Sequence, residues 1–235
     1  MRTIVAWAAA AFVLASCGGD QAPAVDAAKV LRDGGVAMGQ LKTVSATLKL
    51  TKGSITLLGF ALVGAKTSVR LPADSDTVYT VKQQDITIAV EVVISGGHVY
   101  VHLPFSTLQE APPGQAAKLP DMAKLFDSTT GLPALIPAGT KSKYVSTEQV
   151  DGTSAYKVTT TYTADQVHGL LSELSSSGPV SATIWVDASD HLIRKAVLDG
   201  AFGDAGTHAV VEVDITGFNA AVSITSPPPP TPTTP

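Results

Sequence analysis

Apolar residues along this chain change their spacing several times, and each change marks an element. Over 25–41 they recur as Ala27, Val30, Leu31, Met38 and Leu41, the three-and-four spacing of one helix face. Gly34-Gly35 interrupts that face and predicts a kink or break, because glycine in a helix interior costs about 1 kcal/mol. From Thr43 the period falls to two: Ala46, Leu48 and Leu50 alternate with Thr47, Lys49 and Thr51, as in a half-buried strand. Ile86, Ile88, Val90, Val92 and Ile94 share one face of a longer strand. Gly96-Gly97 turns the chain, and Val99, Val101 and Leu103 resume the alternation until Pro104. These two runs predict an antiparallel hairpin.

Residues 104–140 break the pattern with Pro112-Pro113-Gly114, Pro120, Pro133 and Pro137. Met122, Leu125 and Phe126 fit one side of a short helix begun at Pro120. Leu132, Leu135 and Ile136 fit another, set apart by Gly131. Strands return at 143–149 and 155–162 across the turn Asp151-Gly152. Thr163 and Gln166 then form a capping box ahead of an apolar stripe, Val167, Leu170, Leu171 and Leu174, which predicts a helix over 163–174. Four more strands are predicted at 180–186, 191–198, 209–216 and 221–225. Strands dominate in consecutive order, without β-α-β alternation. The expected fold class is therefore α+β: a single large curved antiparallel sheet, a half-barrel, with short helices covering its concave face.

The N-terminus reads differently. Arg2 precedes an apolar run from Ile4 to Leu14, too short for the ~20 residues that a membrane-spanning helix needs. The run ends in Leu14-Ala15-Ser16-Cys17, the pattern of a bacterial lipobox: a branched apolar residue, two small residues, then cysteine. Cys17 is the sole cysteine, so it has no disulfide partner within the chain. The expected organisation is a lipoprotein signal peptide at 1–16 and a lipidated tether at 17–24. A folded domain follows at 25–226, and a Pro/Thr tail expected to be disordered at 227–235. Two or three acyl chains on Cys17 would hold the protein at the outer face of the cell membrane, towards the periplasm or cell-wall space.

Composition narrows the partners. Charged residues make up 15% of the chain, the formal net charge is −4, and Arg194-Lys195 is a basic pair without basic neighbours. No electrostatic track for phosphates exists, so nucleic acid is excluded as a partner. No Gly-x-Ser-x-Gly elbow or phosphate-cradling glycine loop occurs. His98 and His102 share a strand face about 13 Å apart, too far to chelate one metal without a bend. Glu212 and Asp214, about 7 Å apart, read as a solvated strand face. The expectation is no catalytic residue, no metal and no cofactor, in a monomer.

Two interiors suit a wide twisted sheet covered by amphipathic segments: a filled core and a hollow one. The hollow form would accept acyl chains and little else. Its candidate lining comprises Leu48, Leu50, Ile86, Ile88, Val90, Val92, Val99, Val101, Leu125, Phe126, Leu132, Leu135, Ile136, Val167, Leu170 and Leu171. Tyr156 and Tyr162 read as core or rim packing.

Three stretches carry a family resemblance. The first runs from Lys124-Leu125-Phe126-Asp127-Ser128-Thr129-Thr130-Gly131-Leu132-Pro133-Ala134-Leu135 through Val150-Asp151-Gly152-Thr153-Ser154-Ala155-Tyr156-Lys157-Val158. The second is Pro179-Val180-Ser181-Ala182-Thr183-Ile184-Trp185-Val186-Asp187, and the third Val213-Asp214-Ile215-Thr216-Gly217-Phe218. With these the chain resembles the mycobacterial LppX/LprA/LprF/LprG lipoprotein family over nearly all of its mature length. The resemblance implies a fold like the LolA/LolB carriers. It also implies multi-acylated lipids or glycolipids as ligands, moved towards the outer envelope, with a membrane lipid transporter as a candidate partner. Only Cys17 carries over as a specific position. A non-catalytic surface module that binds a protein or glycan is the competing reading.

Overall fold

The computed structural model describes residues 25–170 and 176–225. The period-two stretches become one open antiparallel sheet of twelve strands: β1 (Thr43–Lys52), β2 (Thr56–Leu57), β3 (Phe60–Arg70), β4 (Asp74–Gln83), β5 (Ile86–Ser95), β6 (His98–His102), β7 (Gln109–Glu110), β8 (Thr140–Val150), β9 (Thr153–Tyr162), β10 (Val180–Asp187), β11 (Ile193–Gly200) and β12 (Ala209–Thr216). The spatial order is β7-β6-β5-β4-β3-β1-β12-β11-β10-β9-β8, with β2 paired to β3 beside this path. The first half of the chain thus builds one wing and the second half the other. They meet where β1 pairs with β12, Leu48 opposite Val213.

Side-chain alternation and register together separate the two faces. One row across the sheet reads Val90, Tyr79, Ala65, Leu48, Val213, Ala196, Ile184, Val158, Tyr144. One residue along on each strand, and two on β8 where a bulge separates Tyr144 from Ser146, the row reads Glu91, Val78, Lys66, Thr47, Asp214, Lys195, Trp185, Lys157, Ser146. The first row is apolar and faces the helices; the second is largely polar and faces away. A slip of one residue at β1–β12 would carry Asp214 and Lys195 inward beneath the helices, so the pairing is strongly specified.

The short helices are α1 (Ala27–Met38), α2 (Pro113–Ala116), α3 (Met122–Leu125), α4 (Leu132–Leu135) and α5 (Ala164–His168). Asp26 caps α1 by accepting from the backbone N–H groups of Ala28 and Lys29. The break expected at Gly34-Gly35 does not occur: α1 is continuous. These glycines serve packing instead. A Cβ on Gly35 would lie 2.6 Å from the carbonyl oxygen of Pro133, so α1 and α4 approach more closely than any side chain allows. The expected capping box of α5 is present, Gln166 N–H donating to Thr163 Oγ1 and Thr163 N–H to Gln166 Oε1. Leu171 and Leu174 lie outside the described residues.

Two other expectations are corrected. The spacing of apolar residues assigns no element to 53–85, yet β3 and β4 there are among the longest strands. A bulge between Leu62 and Gly64 shifts the alternation, and Thr67, Ser75 and Thr77 occupy inward positions as buried polar residues, which hides the period. Residues 221–225 do not form a strand. That segment is fastened from outside the sheet, where Asn219 accepts from Lys42 N–H, Thr43 Oγ1 donates to the Ala220 carbonyl, and Ile224 is buried.

On the outer face, Trp185 is buried beneath charges. The ammonium of Lys157 lies 5.1 Å and that of Lys195 5.8 Å from its ring centroid. Its indole N–H donates to Glu148 Oε2 at 2.9 Å, while Lys157 donates to Glu148 Oε1 at 3.0 Å. Glu212 and Asp214 stand on this outward face, as expected, and flank Lys195 at 2.9 and 3.8 Å. Hydrogen bonds from Trp185, Lys157 and Ser146 hold the Glu148 carboxyl down at about 2. A carboxyl depressed on folding stabilises the fold above its unfolded value and loses that effect as pH falls through its folded one. Melting temperatures should therefore fall more steeply with acidification towards pH ~2 in the parent than in Glu148→Gln. Parallel pH profiles would show that Glu148 does not fasten β8 to β9 and β10.

Candidate functional site

Between the apolar face and the helices lies a cavity of about 190 Å³. Its floor comes from the sheet's centre: Ala46 and Leu48 of β1, Leu62 and Ala65 of β3, Tyr79 of β4, Ile184 of β10, Ala196 and Leu198 of β11, and Val211, Val213 and Ile215 of β12. Its roof comes from Met38 of α1, Met122 and Leu125 of α3, Phe126, Leu132 and Leu135 of α4, Ile136, Val167 of α5, and Leu170. Alanines at three floor positions, beneath a roof of longer side chains, leave the space open.

The chemistry of the lining is narrow. None of the described residues that line it carries a charge, and its polar members are Thr56, Thr67, Tyr79 and Tyr162. The Tyr162 hydroxyl donates to the Ile136 carbonyl at 3.1 Å, and Thr67 shares a 2.8 Å hydrogen bond with Thr77. Burial pushes the Tyr162 phenol above its ordinary range, so it stays neutral and tied to the roof. Such a lining offers dispersion contacts and no site for an ion or a proton transfer. At about 15 Å³ per water-sized sphere, the volume holds on the order of a dozen such spheres.

Eight of the expected lining residues come together here: Leu48, Leu125, Phe126, Leu132, Leu135, Ile136, Val167 and Leu170. Leu50 packs against the surrounding core without reaching the cavity. Ile88, Val90, Val92, Val99 and Val101 belong to a second apolar cluster on the same face, packed with Leu57, Tyr79, Val81 and Leu119. Leu119, from the segment between β7 and α3, packs against them. Ile86 is 66% exposed. Leu171 and Cys17 lie outside the described residues.

Sequence reasoning missed the floor residues of β3 and β4, for the reason given above. It also missed Ala196, Val213 and Ile215, although Val211, Val213 and Ile215 stood opposite Glu212 and Asp214 in a legible alternation. What the sequence lacked was the β1–β12 pairing that sets them beside Leu48.

Asp127 organises the roof. Its Oδ1 accepts from the backbone N–H groups of Thr129 at 2.9 Å and Thr130 at 2.8 Å, and from both threonine hydroxyls. The tight turn brings Gly131 so close to the Leu125 and Asp127 carbonyls that a Cβ would stand 2.5 and 2.6 Å from them. In this way α3 and α4 are locked as one lid, with Leu125 and Phe126 on one side and Leu132 and Leu135 on the other. The threonine hydroxyls and N–H groups hold the Asp127 carboxyl well below its usual range. The paired histidines are elsewhere: His98 faces Glu110 at 2.7 Å and His102 faces Glu91 at 2.9 Å, on β6 near the sheet edge. Among the described residues, no group of three or more His, Cys, Asp or Glu is placed to hold a metal.

An open antiparallel sheet bent over an uncharged apolar cavity, with short helices as its roof, defines the structural class. The chain belongs to the LppX_LprAFG lipoprotein family, whose model matches residues 26–225. It is 27% identical over 136 residues to a lipoarabinomannan carrier protein LprG of Mycolicibacterium smegmatis, covering 57% of this chain and 55% of that protein. The LprG of Mycobacterium leprae, also named a lipoarabinomannan carrier protein, is 22% identical with the same coverage. The chain thus spans about half the length of the curated relatives it matches. Two crystal structures share the fold. LprF of Mycobacterium bovis has a TM-score of 0.68 at 19% identity, covering 86% of this chain and 96% of that one. LppX of Mycobacterium tuberculosis has 0.63 at 22%, covering 84% and 97%.

Replacing Asp127 with alanine should unlock the lid. Backbone hydrogen exchange across 122–136 should rise several-fold while the β1–β12 amides stay protected. Unchanged exchange there would show that the Asp127 turn does not hold the roof.

Proposed function

We propose that this protein is a membrane-anchored lipoprotein that binds acylated lipid or glycolipid in its cavity and carries it across the cell envelope. The observation that carries the reading is the unfilled, uncharged cavity under a roof of short helices. An acyl chain of about 16 carbons loses on the order of 10 kcal/mol on moving from bilayer to water. A carrier must offset most of that by burial, and a lining of leucine, isoleucine, valine and phenylalanine does so without polar competition. The names of the LprG relatives, which call them lipoarabinomannan carrier proteins, support the same direction.

In this reading Cys17 carries the membrane anchor, residues 17–24 are the tether, and the domain works as a monomer at the outer face of the membrane. The cavity would receive an acyl chain between floor and roof. A multi-acylated ligand would seat its further chains by lifting α3 and α4, and its headgroup would remain outside, since the lining has no partner for sugar or phosphate. A membrane transporter would be the source or acceptor of the lipid. The chain's own part is binding, without catalysis.

Filling the hollow tests the reading. Ala196→Trp places an indole in the middle of the floor, at an expected cost of about 1–3 kcal/mol from overpacking. The folded variant should lose most of its extractable bound lipid, measured by organic extraction and mass spectrometry against the parent. Undiminished lipid in a variant with native circular dichroism would contradict the assignment of this cavity as the ligand site.

A further inference from the structure

We infer that the sheet end carrying the β2–β3, β4–β5 and β6–β7 connections is a docking edge for a lipid bilayer, through which an acyl chain reaches the cavity. The inference rests on the carrier reading and adds where the carrier meets its membrane.

The registers Leu57 opposite Phe60 and Gln83 opposite Ile86 bring the β2–β3 and β4–β5 connections to one end of the neighbouring strands β2-β3-β4-β5-β6, and β6, whose His102 stands opposite Glu91 midway along β5, sends the β6–β7 connection off towards that same end. At about 4.8 Å between strands, the edge is roughly 20 Å wide. Large apolar residues stand in or near each connection. Phe105 is fully exposed, Ile86 is 66% exposed, and Leu103, Val63 and Leu58 are each more than a third exposed. Five of the nine exposed large apolar residues in the described chain are therefore at this end. Phe105 and Leu58 both stand at positive φ, 66° and 52°, a conformation that bulky residues rarely adopt. The opposite end offers the contrast: its turns read Pro72-Ala73, Gly96-Gly97, Asp151-Gly152 and Ala188-Ser189-Asp190, with no exposed large apolar side chain. Singly scattered surface apolar residues are ordinary, but segregation to one end marks a contact surface.

Continuity with the interior selects the occupant. Along the inward face of β5, Val92 and Val90 are buried, Ile88 is half-buried and Ile86 is open. The apolar floor thus runs out from under the loop cover into solvent. On the neighbouring hairpin, Leu57 lines the cavity and Leu58 is at the tip. An acyl chain entering along this path stays on apolar surface throughout, which a bilayer pressed against the edge provides and an aqueous route does not. Between the apolar tips lie Lys82, Gln84 and Asp85, the first and last 3.8 Å apart, polar groups suited to the headgroup layer. The eight residues from Cys17 to Val25 reach no more than about 29 Å, so an anchored domain stays within contact distance of the membrane.

The test uses the full lipidated protein on vesicles of phosphatidylglycerol and phosphatidylethanolamine with brominated acyl chains. A polarity-sensitive dye is attached to Phe105→Cys or, at the opposite end, to Ala73→Cys, with bound lipid extracted from both in parallel. At position 105 the emission should shift to the blue and be largely quenched by the brominated chains; at position 73 it should do neither. A dye at 105 that stays in water, or equal quenching at both positions, on protein carrying its normal lipid overturns the docking edge alone. Absence of extractable lipid from both proteins overturns the carrier reading and the docking edge with it.

Discussion

Everything enclosed by this molecule depends on one antiparallel pairing, between the first long strand and the last. β1 and β12 are separated by more than a hundred residues, and their contact closes two hairpin-built wings into one sheet. The register Leu48–Val213 places the apolar row of each wing on the same face. It also places Asp214 of one wing beside Lys49 of the other on the outer face, 3.8 Å apart. The outer charges add little through any single exposed pair, but a shifted register would bury them, and that penalty keeps the sheet in step.

A hollow interior has a thermodynamic consequence. Unfilled apolar volume costs about 24 cal/mol per Å³ in a packed protein, so 190 Å³ left empty corresponds to roughly 4–5 kcal/mol. That is a large fraction of the 5–15 kcal/mol by which domains are usually stable. The floor alanines Ala46, Ala65 and Ala196 keep the space open, and larger apolar residues there would fill it. Native packing that leaves such a void is reasonable where an occupant restores the missing contacts. The neighbouring cluster around Leu119 packs valines and isoleucines on the same face of the sheet.

The fold class was legible because the strands keep a clean period of two and their turns carry Gly-Gly or Asp-Gly. The roof was legible as well: Leu125, Phe126, Leu132, Leu135 and Ile136 follow helical spacing between prolines. The floor was only partly so. β3 and β4 disguise their inward face with threonine, serine and a bulge. Ile86 to Val92 look from sequence like the best lining in the chain, yet Ile88, Val90 and Val92 belong to the neighbouring cluster with Leu119, and Ile86 stands out in solvent. Periodicity reports which face is inward, and not how completely another segment fills the space above it. The glycines of α1 make the same point, since a feature that weakens an isolated helix here permits close contact with Pro133.

The account requires that the cavity be occupied when the protein is made in the presence of lipid. Native mass spectrometry of the full chain, purified from a lipid-containing host and compared before and after organic extraction, addresses this directly. It should show a mass excess matching at least one acylated molecule per monomer, removed by extraction with a fall in melting temperature. A chain of bare polypeptide mass, equally stable before and after extraction, would contradict it.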